Sequence, residues 1–416
     1  MCDSGTSERG RPRGAALIIS MLVMAVLLLA GTTFMTISST EGQIALNETA
    51  LTRAFHEAEG LMDWTIARLS ANAGYAGATG TISGGGSFTV QVTAAASQIC
   101  PTADGKQIAV RASVGVRGGQ AVVDLSAAAD RIIYPFRFAA YSVVPNTIVT
   151  DGRVEQELLF DAYTWTDSFD STLGAYNASF PLNYTTRINR DFSGSAGANG
   201  DSYFVNPTWV LGDLLSGDAI NNPGNVTITG VQYTGFAPNA SSIGERFLPV
   251  ASPVTPVDSL SVAAGVTVTL GGTDEAPVYN YYYTSMAFGS GSTLTVSRPV
   301  TIYVTGSVSV GDSVTWGNST NPTWLKVVLQ STGAYTSAMT LSTGTSFNLH
   351  GGLYGRNANI DFNNGSGIYG AVIGRIVRLR YGTAIHYNQA LALVPICHTG
   401  DYQVRKGTWR EVLPSW

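Results

Sequence analysis

Two groups of charged side chains have the chemistry that enzymes acting on polysaccharides use. Paired carboxylates act as acid, base or nucleophile in glycoside hydrolysis. In the alternative reaction, which polysaccharide lyases catalyse, a basic residue beside a carboxylate-bound cation removes a proton. The candidates are three aspartates in the first half of the chain and three arginines near its end: Asp161, Asp167, Asp170, Arg375, Arg378 and Arg380.

The local context of these residues favours structural roles. The aspartates lie in a turn-like segment, where carboxylates commonly hydrogen-bond the loop backbone. Arg378 and Arg380 share one face of a predicted strand, which is typical of a solvated edge. We therefore predict that the protein is not an enzyme, and a membrane-anchored carbohydrate-active enzyme is the alternative.

Histidine spacing and short motifs indicate neither a metal site nor a cofactor site. The GxSxG nucleophile elbow, the HExxH zinc helix and the GxxxxGK[ST] phosphate loop do not occur in the sequence. We predict no metal and no cofactor. Two of the four histidines are expected at turns between strands, namely His350 and His386; the others are His56, on a predicted helix, and His398.

Composition favours an exported, turn-rich β protein. Charged residues make up 12% of the chain, which is about half the usual share, and 47 of the 416 residues are glycine. The net charge is -5, so no basic field is available for a polyanion. We expect no nucleic acid partner.

An uncharged apolar segment near the N-terminus predicts a membrane span. Residues 15–34 cover about 30 Å as a helix, which matches the hydrocarbon core of a bilayer. Residues 1–14 form a polar leader with three arginines, whereas the first charge after the span is Glu41. The positive-inside rule therefore places the leader in the cytoplasm and the rest of the chain outside it.

An amphipathic helix is predicted to continue the span through residues 35–73. Apolar residues recur there at helical spacing, and no proline interrupts the pattern. Most such stripes pack on their own domain. The predicted stripe consists of Ile44, Leu51, Phe55, Ala58, Met62, Ile66 and Leu69.

The rest of the chain is predicted to be β structure, which makes the fold class α+β. Residues 74–130 alternate as the strands of a small antiparallel sheet. A β-rich region, 131–256, leads into repeated short strands with glycine and asparagine turns at 257–395, which favour a parallel β-helix or solenoid. Two segments beginning GLYG and GIYG nearly superimpose at an offset of 15 residues. Residues 396–416 are predicted to be a tail.

The N-terminal pattern resembles the PilX-type minor type IV pilins. RGAALIISMLVMAVLLLAG is similar to the start of that family, and ALTRAFHEAEGLMDW is similar to its helix. The resemblance implies cleavage between Gly14 and Ala15 by a prepilin peptidase. Two residues depart from the family: Ala15 replaces the usual phenylalanine, and Ile19 replaces a glutamate that pairs with the N-terminal ammonium of a neighbouring subunit.

The resemblance also implies where the protein acts. It implies a single-pass protein of the inner membrane that enters a pilus or pseudopilus through helix contacts with other pilin subunits. Loss of the glutamate favours a tip, priming or sparse position. The segment from Tyr163 to Leu391 is similar to a β-helix-like domain often attached to such N-termini, which implies display of that domain, with adhesion to a surface ligand as one role. A permanently anchored surface protein is the alternative.

Two further features stay open at this point. Cys100 and Cys397 either form a disulfide or remain inert thiols, since sequence separation does not give their distance. Four tyrosines precede the regular repeats and predict either a small core under a loop or a contact surface. They are Tyr279, Tyr281, Tyr282 and Tyr283.

Overall fold

The molecule consists of one long helix, a small antiparallel sheet and a larger β portion made of parallel strands. This confirms the predicted α+β class. Of the 416 residues, the computed structural model describes the following ranges: 13–82, 85–95, 105–116, 119–133, 135–143, 149–150, 153–154, 158–173, 176, 193–235, 258–272, 279–330, 339–397, 402–405 and 408–412.

A single helix, α1, runs without a break over Arg13–Ala71. Its 59 residues span about 90 Å at 1.5 Å per residue. The apolar and amphipathic segments are therefore continuous, as predicted. The helix ends where the Asn72 carboxamide oxygen accepts a hydrogen bond from the Gly74 amide at 2.9 Å, because this local turn competes with a further helical turn.

Only the second half of α1 packs on the antiparallel sheet. The alanines of its buried face let helix and sheet approach closely. The predicted stripe is partly wrong, because Ile44 and Leu51 stay exposed, at 52% and 48%. Ala58, Met62 and Leu69 are buried as predicted, and the other buried side chains of this face are Ala50, Ala54 and Thr65.

The predicted antiparallel sheet is confirmed, and its core lies under α1. Val110 faces Val90 on one neighbouring strand and Leu125 on the other, and all three side chains are buried. This follows from alternation, since every second side chain of a strand faces the same side. The first four strands are β1 (Gly77–Ile82), β2 (Gly86–Ala95), β3 (Gly105–Val116) and β4 (Gly119–Asp130).

The end of the chain returns to this sheet. The segments Gln403–Val404 and Arg410–Val412 both pair antiparallel with β4. Arg405 forms an ion pair with the buried Asp130 at 2.6 Å. The predicted tail thus includes two strands of the N-terminal sheet, and the large β portion is an insertion between β4 and these strands.

The remaining elements lie within or after this insertion. Among the described residues, short 3₁₀ helices cover Pro223–Asn225, Pro322–Trp324 and Gln389–Leu393. The strands are β5 (Ile132–Ile133), β6 (Ala140–Ser142), β7 (Val149–Thr150), β8 (Arg153–Val154), β9 (Leu158–Phe160), β10 (Thr164–Phe169), β11 (Ala196–Ala198), β12 (Ser202–Phe204), β13 (Thr208–Val210), β14 (Leu214–Ser216), β15 (Ile220–Asn221), β16 (Val226–Ile228), β17 (Gln232–Tyr233), β18 (Asp258–Val262), β19 (Thr267–Leu270), β20 (Tyr279–Phe288), β21 (Thr293–Val296), β22 (Val300–Val304), β23 (Val308–Val310), β24 (Thr315–Gly317), β25 (Leu325–Leu329), β26 (Met339–Ser342), β27 (Asn348–Phe362), β28 (Gly367–Leu379), β29 (Ala384–Asn388), β30 (Ile396–Cys397), β31 (Gln403–Val404) and β32 (Arg410–Val412).

In the described part of the chain, 22 strands (β6 and β9 to β29) join into one closed, barrel-like arrangement. Neighbouring strands in it are parallel, as where β22 lies between β20 and β25. Side chains at matching positions form apolar rows. One row runs through Ile302, Val327, Leu353 and Val372, all fully buried. Strands β22 and β25 are buried along their full length, which is typical of parallel strands that are covered on both faces.

The chain enters this arrangement in its middle rather than at one end. The late strand β28 pairs with the early strands β6 and β9, and β29 pairs with β10. We call these contacts the seam. They place the end of the second stretch, 258–388, against the start of the first, 140–233.

A left-handed residue occupies the same turn in seven successive layers. In each layer the amide of this residue donates to a carbonyl in the next layer. Gly382 donates to Ala162 across the seam at 3.1 Å, and Tyr163 donates to Pro207 within the first stretch at 2.6 Å. The φ angles lie between 55° and 73°, where glycine costs least. The residues in layer order are Gly265, Gly291, Ser313, Ser346, Gly365, Gly382 and Tyr163.

The structural repeat differs from the one expected from the GLYG and GIYG segments. Leu349 pairs with Ile368 and Gly351 with Gly370, so one layer contains more residues than the spacing between those segments. The GLYG and GIYG segments therefore do not superimpose. Gly370 is required by close packing, since a Cβ at this position would overlap the carbonyl oxygen of Gly351.

We expect Gly370→Ala to destabilise the β portion by about 3 kcal/mol, because the backbones would have to separate. Gly224→Ala is the matched control, since a Cβ at the exposed Gly224 meets nothing within 4 Å, and its effect should stay within about 0.5 kcal/mol. Thermal unfolding of the detergent-solubilised full chain measures both. Equal melting temperatures would contradict the tight packing.

Candidate functional site

The first half of α1 is a long apolar surface that no described residue covers. Every residue from Leu17 to Thr49 is exposed, and the sequence holds no charge between Arg13 and Glu41. The helix is long and apolar enough to cross a membrane. Burying one leucine-sized side chain is worth about 1.5–3 kcal/mol, so this surface requires lipid or other apolar helices around it.

The hydroxyl groups on this surface suit an apolar environment. Ser20 donates to the Leu17 carbonyl at 3.0 Å, and Thr32 donates to the Leu29 carbonyl at 2.9 Å. Such bonds satisfy polar groups within the helix where water is absent. The other threonines of this surface that bond back to the preceding turn are Thr33, Thr36, Thr40 and Thr49.

The predicted cleavage site lies at the start of this surface. Gly14 and Ala15 are in the first turn of α1. Ile19 lies one turn further on, and its side chain is 63% exposed. An apolar residue there leaves no carboxylate at that position to pair with an N-terminal ammonium.

A second candidate cluster lies at the seam. His386 on β29 places Nδ1 2.7 Å from the Asp167 carboxylate on β10, and both side chains are buried. The Tyr176 hydroxyl donates to the other Asp167 oxygen at 2.6 Å, and its ring stacks on His386 at 4.0 Å. Asp167 is fully buried under these groups. We therefore interpret the cluster as a set of polar contacts that hold the two stretches of chain together.

A row of stacked rings extends this cluster over adjacent layers. Tyr369 lies 4.9 Å from His386 on one side and 4.6 Å from His350 on the other. Both histidines lie within strands β27 and β29 rather than at turns, which corrects the prediction. Burial, and to a smaller extent the nearby His386, lowers the pKa of His350 to about 4.

The other charged candidates serve the local structure. Asp161 accepts a hydrogen bond from the Ala162 amide at 2.8 Å, and Asp170 accepts from the Thr172 amide and hydroxyl at 2.9 and 2.7 Å. Asp167 lies in β10, so the prediction that all three aspartates lie in one turn is wrong.

The three arginines separate in the same way. Arg375 is buried and donates to Asn359 at 3.1 Å. Arg378 lies near the end of β28, and Arg380 lies in the following turn, where it forms two hydrogen bonds to Asp361 at 2.8 and 2.7 Å. The expected shared strand face is therefore not present.

The remaining candidates have mixed outcomes. The four tyrosines from Tyr279 to Tyr283 are half-buried and pack against the β core, as the core interpretation predicts. His56 is exposed and lies 3.2 Å from Glu59. Cys100 and His398 are outside the described residues, so the disulfide with Cys397 stays a prediction.

Sequence reasoning missed Tyr176, Tyr369 and Asp361. Tyr369 belongs to the GIYG segment, and matching this segment to GLYG predicts the wrong repeat length. Asp361 and Arg380 have the same separation in sequence as Leu349 and Ile368, which pair in adjacent layers. The correct repeat length would therefore have brought Asp361 and Arg380 together.

Comparisons with known proteins cover parts of this architecture. A family model described as a domain of unknown function (DUF7305) matches residues 285–394, which run from within β20 to just beyond the last 3₁₀ helix. No curated protein matches the chain. Among solved structures, the crystal structure of the competence-associated pilin ComZ from Thermus thermophilus is similar over 88% of this chain and 98% of that chain, at 11% identity and a TM-score of 0.24.

The burial of His350 predicts a pH-dependent stability. Its pKa is about 6.5 in an unfolded chain and about 4 in the fold, so the unfolded state binds more protons between these values. The free energy of unfolding therefore has its full value with respect to His350 above pH 6.5, and it decreases as the pH falls towards 4.

We expect His350→Phe to remove roughly 2 kcal/mol of the stability loss between pH 7 and pH 4.5, since phenylalanine keeps the ring contact with Tyr369 but binds no proton. Urea unfolding at both pH values measures the difference. The same loss in wild type and His350→Phe would refute the assignment.

Proposed function

We propose that this protein is a pilin-like structural subunit of a type IV pilus or pseudopilus, of the PilX-type minor class. The observation that carries the proposal is the exposed, uncharged surface of α1 from Leu17 to Thr40, continuous with a half that packs on its own sheet. Lipid covers this surface before assembly, and the helices of other subunits cover it afterwards. Residues 15–34 are the segment that spans the inner membrane.

The large β portion is the displayed part of the subunit. It is inserted between β4 and the strands at the end of the chain, so its entry and exit both lie at the antiparallel sheet. We interpret its layers as the coils of a parallel β-helix, supported by the row of left-handed turns and by the long parallel pairing of β27 and β28, whose register shifts between Gly355 and Asn359. Attachment through the sheet leaves the apolar half of α1 free to pack sideways.

Catalysis is not part of the proposed function. The candidate aspartates hydrogen-bond their own turns or the buried seam, and among the described residues no group of histidine, cysteine, aspartate and glutamate side chains has metal-binding geometry. Loss of the glutamate at Ile19 fits a sparse or terminal position in the fibre, because the subunit lacks the usual partner for a neighbour's ammonium. Adhesion through the displayed portion is one use of such a position.

Processing of the leader tests this proposal. We expect the accumulated protein to begin at Ala15, and Gly14→Val to retain the leader, because glycine allows the close approach that a peptidase needs. Gly31→Val is the matched control, since a Cβ at that exposed helical glycine meets nothing within 4 Å. Intact-mass measurement of the membrane-extracted chains distinguishes the two forms.

Assembly is tested by wild type and Gly14→Val. Wild type should appear in sheared filaments, and Gly14→Val should remain in the membrane fraction. Wild-type protein that keeps Met1 and never leaves the membrane would instead support a permanently anchored surface protein.

A further inference from the structure

We infer that Tyr163 and Tyr381 form a binding site for the face of a neutral sugar ring on the turn edge of the β portion. The two side chains are 49% and 52% exposed. Their rings lie 5.1 Å apart in an edge-to-face arrangement. They come from adjacent layers on opposite sides of the seam, so the site exists only where the two stretches of chain meet.

The backbone conformation at Tyr163 is unfavourable for tyrosine, so the stability of the fold gives no reason for a tyrosine at this position. Its φ is 59°, in the left-handed region, which is unfavourable for a bulky side chain. The same turn position in the six preceding layers carries glycine or serine. Half of the Tyr163 side chain faces solvent, so burial does not compensate for the strain, and backbone strain that lacks a packing reason is found at functional sites.

The chemistry of the pair fits a sugar ring. The face of an aromatic ring carries negative charge density, which attracts the polarised C–H groups of a pyranose, and tyrosine offers a large contact area with few rotatable bonds. Arg380, next to Tyr381 in the chain, and Asp361, in the adjacent layer, provide hydrogen-bonding groups near Tyr381. Arg380 is 38% exposed and Asp361 21% exposed, so sugar hydroxyls have access to both.

The local charge favours a neutral ligand over a polyanion. Arg380 is held by two hydrogen bonds to Asp361, and Asp161 lies close enough to add to the negative field at the guanidinium. Arg378 is the register partner of Asp361, so two cations and two carboxylates leave the site without a net charge. Nucleic acids and acidic polysaccharides require a net positive field.

This inference names a ligand class for the displayed portion, and its biological use rests on the proposed pilin function. Binding itself does not depend on processing or on assembly. A failure of sugar binding would therefore leave the filament experiments unaffected, and a failure of assembly would leave sugar binding measurable.

The test is isothermal titration of the detergent-solubilised full chain with cellohexaose, maltohexaose and polygalacturonate. The detergent must carry no sugar headgroup, because dodecyl maltoside would itself compete for the site. We expect at least one neutral hexaose to bind. Tyr163→Gly and Tyr381→Ala should each weaken that binding by about tenfold or more.

The variants also separate binding from folding. Tyr163→Gly should have an unchanged or higher melting temperature, since glycine relieves the left-handed strain, whereas Tyr163→Phe should keep most of the affinity. Tyr233→Ala, at a tyrosine that is 47% exposed on β17, should bind as wild type does. Absence of binding to both neutral sugars, binding only to polygalacturonate, or equal binding by Tyr163→Gly would overturn the inference.

Discussion

The apolar surface on the first half of α1 has to be removed from water, and this constraint organises the molecule. The described part of the chain covers the helix only from Ala50 onward, where alanines fit closely against β3 and β4. The exposed part is about 50 Å long at 1.5 Å per residue, which exceeds a bilayer core. A helix of this kind suits both a lipid environment and a bundle of similar helices.

The antiparallel sheet connects this helix to the large β portion. Because the sheet receives strands from both ends of the insertion, the chain fixes the insertion at two points. The seam then closes the insertion upon itself, with Asp167, His386 and Tyr176 joining residues that are far apart in sequence. The same junction brings together Tyr163 and Tyr381, so the architecture that stabilises the β portion also creates its exposed aromatic site.

Local patterns in the sequence predicted much of this fold, and non-local contacts account for the rest. The continuous helix follows from the absence of proline and the apolar run, and the antiparallel sheet follows from alternation. The buried stripe was partly misassigned because alanine is a weak apolar signal beside Ile44 and Leu51. The repeat was misassigned because two GxYG segments match in letters, although the strands align Leu349 with Ile368.

The candidate site divides in the same way. The apolar surface is readable from composition and charge, since it depends on neighbouring residues only. The pairing of Asp167 with His386 depends on which strands the first part of the insertion lies beside. No local pattern in the sequence predicts that choice of neighbours. The pairing of Gln403–Val404 and Arg410–Val412 with β4 was not predicted for the same reason, because strands that pair over such a separation leave no periodic pattern in the sequence.

In the assembled state that we propose, other helices cover the apolar half of α1. A photo-crosslinking residue at Leu28, which is 68% exposed, tests this most directly in intact cells. The account predicts protein–protein adducts in sheared filaments and lipid adducts in the membrane fraction. Lipid adducts alone, with no labelled protein in filaments, would contradict it.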